Sequence, residues 1–195
     1  MSTAIRDLIC EATQTSHGRL DIALSRLDLA IPVYYEGFLR SQAEALFPIE
    51  AALECNGIED HIPDWQLRVR TPALTRDLDR LGISCNPLPM PAFKSIAEML
   101  GAVYVLEASR MGERVMLARL AEHPDSEAMN ATAYLRHGFG KRFWPSFLTL
   151  LENHPDAQLD PAGVVHGAEI AFAMFEDALI PVTRVAANQF TQASL

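Results

Sequence analysis

His17 is the residue whose type and setting best suit chemistry. It stands beside Thr13, Leu20 and Leu24 at helical spacings, at the edge of an apolar face. An imidazole on such an edge can ligate an iron through one ring nitrogen while a carboxylate or carbonyl orients the other. Asp21, one helical turn on, is placed for that orienting duty. The bland alternative is a hydrogen-bonded histidine at a helix interface, and spacing leaves both open.

A second candidate is the run 101–120, GAVYVLEASRMGERVMLARL, in which Gly101, Val105, Ala108, Gly112 and Val115 share a small-residue stripe. Glycine inside a helix costs about 1 kcal/mol against alanine, so two of them call for a packing or functional reason. A flat cofactor against Ala108 and Gly112, with the Ser109 hydroxyl nearby, is one reason. A close helix–helix contact is the other. Glu107, Arg110, Glu113 and Arg114 read most simply as a solvated face with i, i+3 pairing, Glu113 standing at the rim of whatever Gly112 faces.

A third candidate is the segment from Tyr134 to Phe147, YLRHGFGKRFWPSF, whose aromatics read as core anchors. Its cations Arg136, Lys141 and Arg142 suit an anionic ligand such as a carboxylate, or simply solvent. The remaining histidines, His61, His123, His137, His154 and His166, form no HxxxH or ExxH spacing, so a bundle-type di-iron or zinc site is poorly supported. No nucleophile motif, phosphate loop or dinucleotide fingerprint is present. An enzyme so equipped needs a cofactor for the hard chemistry.

The elements that must position these residues are helical. Periodicity predicts a first helix from about Ser2 to Leu29 and a second from Pro32 to Asn56-Gly57, kinked or divided at Pro48. Further helices are expected at about Pro72–Leu81, Ala92–Ala121, Ser126–Leu135, Lys141–Asn153 and from Pro161 to about Phe190, the last kinked at Pro181. The run Asn86–Pro91 reads as a rigid extended connector. The expected fold is an all-α, multi-helix bundle forming one domain over residues 1–195.

Composition narrows the partners. A net charge of −9 argues against nucleic acid. No apolar run approaches the roughly 18 residues of a membrane span, and the N-terminus lacks a signal-peptide pattern. The three cysteines, Cys10, Cys55 and Cys85, are widely spaced and form no CxxC pair. They read as reduced, buried thiols of a cytoplasmic protein.

Three segments together resemble the haem oxygenases, especially the bacterial kind found beside bacteriophytochromes. They are Leu8–Leu20 around His17, Leu100–Gly112, and His137–Phe147, in the family's order and separation. The resemblance implies that His17 is the axial ligand and metal-binding residue, and that the 108–113 segment is the distal wall of the haem pocket, with Ala108, Ser109, Gly112 and Glu113 against the haem. It implies that haem is both substrate and cofactor, cleaved with O2 and electrons from a ferredoxin or reductase to biliverdin, carbon monoxide and ferrous iron. A bacteriophytochrome would then be a possible biliverdin acceptor. Arg142 and Arg184 are the cations expected beside the propionates.

The distal segment departs from the bacterial pattern Glu-Gly-Ser-x-Leu-Gly-Gly. It reads Glu107-Ala-Ser-Arg-Met-Gly-Glu113, keeping Gly112 where the haem is touched. Glu113 there must be paired, hydrated or protonated. Ser109 stands where animal members place the Asp that holds a distal water, so Ser109 and Gly112 are the expected catalytic positions. Two other readings stay open: a non-catalytic haem or tetrapyrrole carrier or sensor, and a helical interaction protein that binds no haem.

Overall fold

The structure, a computed structural model, describes the backbone of residues 4–192 and the side chains of residues 4–184. Eight α-helices and two 3-10 turns, with no strand, make up its regular structure among the described residues. They are α1 (Ile5–Ser25), α2 (Pro32–Cys55), α3 (Trp65–Arg68), α4 (Thr71–Leu81), α5 (Ile96–Leu120), α6 (Phe143–Asn153), α7 (Pro155–Leu159) and α8 (Pro161–Gln192). The all-α expectation holds. No helix among the described residues is long and apolar enough to cross a membrane.

The long helix α8 packs against α5, α1 and α2. Its approach to α5 is close because both helices carry glycine there. A Cβ on Gly101 would lie 1.9 Å from the Val164 carbonyl oxygen, and one on Gly167 would lie 1.8 Å from that of Glu98. Gly101 therefore serves helix–helix contact. The α5 start is set by Ser95, whose hydroxyl accepts from Glu98 N at 3.2 Å, while the Glu98 carboxylate accepts from Lys94 N at 2.7 Å. That cap fixes the start at Ile96, later than the Ala92 expected.

Pro48 does not divide α2; the helix runs through it. The proline has no N–H for the Glu44 carbonyl, and that carbonyl instead accepts from Leu88 N at 2.9 Å. The Glu44 carboxylate also takes Asn86 N at 3.2 Å. The extended 86–91 connector is thus stitched to α2 at the place where the proline frees an acceptor. α8 likewise continues through Pro181.

The expected Ser126–Leu135 helix is replaced by a 3-10 turn at Glu127–Asn130 followed by irregular chain. The buried Asp77 carboxylate draws off the N–H groups of Ala133 and Tyr134 at 2.9 and 2.7 Å, and Tyr35 Oη donates to the Ala131 carbonyl. Those bonds compete with a helical ladder. The cysteines are also corrected: Cys10 and Cys55 are exposed and Cys85 is half-buried, all three free thiols.

Candidate functional site

Between the C-terminal half of α1 and the middle of α5 lies a cleft of about 970 Å³, floored by Phe172, Phe175 and Leu179 of α8. Small-molecule sites span roughly 300–1,000 Å³ and are mostly apolar with a few placed polar groups. α1 offers His17, Leu20, Asp21 and Leu24 to this cleft, and α5 offers Ala108, Ser109, Gly112 and Glu113. The two segments singled out in the sequence therefore face one space.

His17 Nδ1 lies 2.9 Å from Asp21 Oδ2, with the imidazole side chain 60% exposed to the cleft and its mouth. The pairing places a proton on Nδ1 and leaves the Nε2 lone pair available, the arrangement in which a carboxylate orients a ligating imidazole. The ring also meets Phe172 edge-on, centroids 6.0 Å apart. His17 is thus hydrogen-bonded to Asp21 and touches α8, yet it is largely exposed rather than enclosed between the helices.

Across the cleft, Gly112 differs in kind from Gly101. A Cβ on Gly112 would meet nothing within 4 Å. Packing does not require this glycine; its bare face opens onto the cleft. Ala108 and Ser109 sit one turn earlier on the same wall.

Arg142 and Arg184 do not line the cleft. Both are exposed, Arg142 at the N-cap of α6 and Arg184 on α8. The cations that reach the cleft are Arg26 and Arg119, also exposed. Arg119 was legible: it follows Gly112 by seven residues, two turns along the same face. Arg26 lies in the turn closing α1 and carries no periodic signal. Arg136 is held locally, its Nε donating to Thr132 Oγ1 at 2.9 Å.

The polar residues of α5 expected on a solvated face are instead buried, Arg114 excepted. Glu113 pairs with Arg70, whose guanidinium also donates to Ser109 Oγ at 2.9 Å. Arg70 is fully out of solvent, yet its pairing with Glu113 holds its charge more firmly than usual against the cost of burial. Arg70 is placed by Glu50 of α2, whose carboxylate accepts from Arg70 N and Thr71 N at 2.9 Å each and so caps α4. Beside this pair, Glu107 binds Arg68 at 3.2 Å and Arg110 at 3.1 Å, and Arg110 donates to His137 Nδ1 at 3.0 Å. Burial, then the charges of Arg110, Arg70 and Arg76, push the His137 imidazole down to about 4. Within the first group Arg70 Nε, Arg70 Nη2 and Glu113 Oε2 take no protein partner among the described residues.

No family model matches the chain. It is 28% identical to the haem oxygenase of Xanthomonas campestris pv. campestris (strain 8004) over 137 residues, 66% of this chain and 83% of that protein. Against the NO- and CO-bound haem oxygenase from Neisseria meningitidis the TM-score is 0.79, over 93% of each chain at 19% identity. This chain has the fold of a haem oxygenase. The sequence likeness supports a relationship to haem oxygenases.

Proposed function

We propose that the cleft binds haem, with His17 Nε2 on the iron, and that the chain cleaves it to biliverdin, carbon monoxide and ferrous iron using O2 and electrons from a ferredoxin or reductase. The observation that carries this reading is the cleft itself: an imidazole oriented by a carboxylate on one wall and a glycine not required by packing on the other. The donor set fits haem, since a neutral imidazole with one free nitrogen is a common axial ligand. Haem, when bound, supplies both the oxygen-binding iron and the ring that is oxidised.

The chain's own residues divide the remaining work. Asp21 fixes the His17 tautomer and ring orientation. Phe172, Phe175 and Leu179 keep water from the cleft floor. Arg26 and Arg119 stand where exposed carboxylates of a ligand could be met at the mouth. Gly112 and Ala108 let a flat ring approach the α5 backbone.

Glu113 does not present a bare carboxylate to the ligand. Arg70 neutralises it, and Ser109 bridges the pair towards the cleft, its Oγ 3.2 Å from Glu113 Oε1 and 2.9 Å from Arg70 Nη1. The unpartnered atoms of Arg70 and Glu113 are suited to hold ordered water beside Ser109. Proton delivery would run through Ser109 and such water, in place of an aspartate on this helix.

Haemin titration tests the first half of the proposal. A sharp Soret band should appear and be lost or shifted in His17→Ala, whereas no spectral change with the folded wild-type chain would sink it. Adding reductant and air to the complex tests the second half by the growth of biliverdin absorbance. Haem binding without biliverdin would reassign the cleft to carriage or sensing.

A further inference from the structure

Away from the cleft, two histidines remote in sequence come together. His61 closes the 3-10 turn Ile58–Asp60 that follows α2, and His154 joins α6 to α7. Their Nδ1 and Nε2 atoms are 3.3 Å apart, with the rings inclined by 58°. Asp156 stands beside them, its Oδ2 3.5 Å from His154 Nδ1. The three residues offer ligand atoms that all lie within 4.8 Å of one another. None of them lines the cleft.

We propose that His61, His154 and Asp156 form a binding site for a divalent transition metal ion of the zinc type. A ligand–zinc distance of about 2.0–2.1 Å in a tetrahedron sets its nitrogens about 3.3–3.4 Å apart, which is the spacing found here. Two imidazoles and one carboxylate form a donor set that suits zinc, nickel, copper or iron, and disfavours calcium and magnesium, which want oxygens. Water completes the fourth position.

The backbone holds the two histidines in place before any ion arrives. Ile58 and Ile62 flank His61 with no exposed surface, and Leu151 and Ala157 do the same around His154. Pro155 fixes the chain direction just after His154. The Asp156 side chain is 45% exposed, free to rotate the short distance onto the ion. Metal on His154 Nε2 puts that ring's proton on Nδ1 and gives up the long 3.3 Å bond from Asp156 N–H. Binding would clamp the end of α2 to the α6–α7 junction and so stabilise the fold by linkage.

Zn2+ titrated by calorimetry into the haem-free, EDTA-treated chain reads the site directly. One equivalent should bind, with affinity at least about tenfold weaker in His154→Ala, His61→Gln and Asp156→Asn. Co2+ should give the intense visible bands of tetrahedral coordination in the wild type only. Zn2+ should raise the melting temperature of the wild type and leave that of the variants unmoved, while circular dichroism and haemin titration confirm that the variants fold. Equal Zn2+ affinity in the wild type and the His61→Gln, His154→Ala double variant would overturn the proposal. So would the absence of binding to the folded wild type.

Discussion

Arg70 pairs with Glu113 inside the wall of the cleft, its side chain fully buried and that of Glu113 only 5% exposed. Glu113 follows Gly112 directly and borders the cleft, but its carboxylate is buried against Arg70, which neutralises it. Removing one partner of a buried pair leaves the other charge without compensation and costs about 3–5 kcal/mol. Glu113→Gln should therefore destabilise the chain by about 3 kcal/mol in urea unfolding. The double replacement Arg70→Met, Glu113→Leu should recover most of that loss, because an apolar pair of similar volume often matches a buried ion pair. Additive losses in the double variant would show that the two residues do not act as a pair.

The two glycines of the small stripe should respond oppositely to alanine. At Gly112 the added methyl meets nothing within 4 Å, so Gly112→Ala should raise stability by up to about 1 kcal/mol through helix propensity. At Gly101 the same methyl would lie 1.9 Å from the Val164 carbonyl oxygen, and α5 and α8 must separate. Gly101→Ala should cost at least about 2 kcal/mol. Gly112→Phe should fold yet lose haemin binding, measured by Soret titration, since its ring would occupy the cleft.

What the sequence made legible follows the helical period. His17, Leu20 and Leu24 share a face within one helix, and so do Ala108 and Gly112, so each face could be read from the period. That the two face one cleft was implied only by the resemblance to haem oxygenases and is seen in the packing. The charges of α5 show the opposite case. Glu107 and Glu113 read as solvated because their partners lie around forty residues earlier, Arg68 ending the one-turn helix α3 and Arg70 capping α4, where there is too little period to follow. His61 and His154 met the same obstacle, being 93 residues apart on two turns. The 126–135 segment misled because its residues favour a helix, while the Asp77 carboxylate on α4, remote in sequence, captures N–H groups the helix would use. Pro48 looked like a break because the Leu88 N–H that takes up its orphaned acceptor is distant in sequence.

Asp21 acts on haem only through His17, so its replacement should separate orientation from ligation. Asp21→Asn should leave the Soret band in place but weaken haemin affinity about 10–100-fold, the usual cost of losing a carboxylate behind a metal-bound histidine. Its side chain is 66% exposed, so urea unfolding of the haem-free chain should not change. An unchanged affinity would mean that the 2.9 Å contact does not orient the ligand. His17→Ala, by contrast, should remove the axial bond and alter the spectrum itself.

The His137 imidazole gives the fold a pH dependence of definite sign. Burial and the nearby charges of Arg110, Arg70 and Arg76 hold it down to about 4, against about 6.5 in the unfolded chain. Between those values the unfolded chain binds a proton that the folded one refuses. This group's contribution is therefore fully present above about pH 6.5 and is lost progressively as the pH falls towards 4. Arg110, which donates to His137 Nδ1 at 3.0 Å, keeps that nitrogen unprotonated. In His137→Gln the acceptor can be retained without the titration. Urea midpoints at pH 7, 6 and 5 should fall more steeply for the wild type than for this variant, and parallel profiles would show that His137 takes up its proton in the folded chain as freely as in the unfolded one.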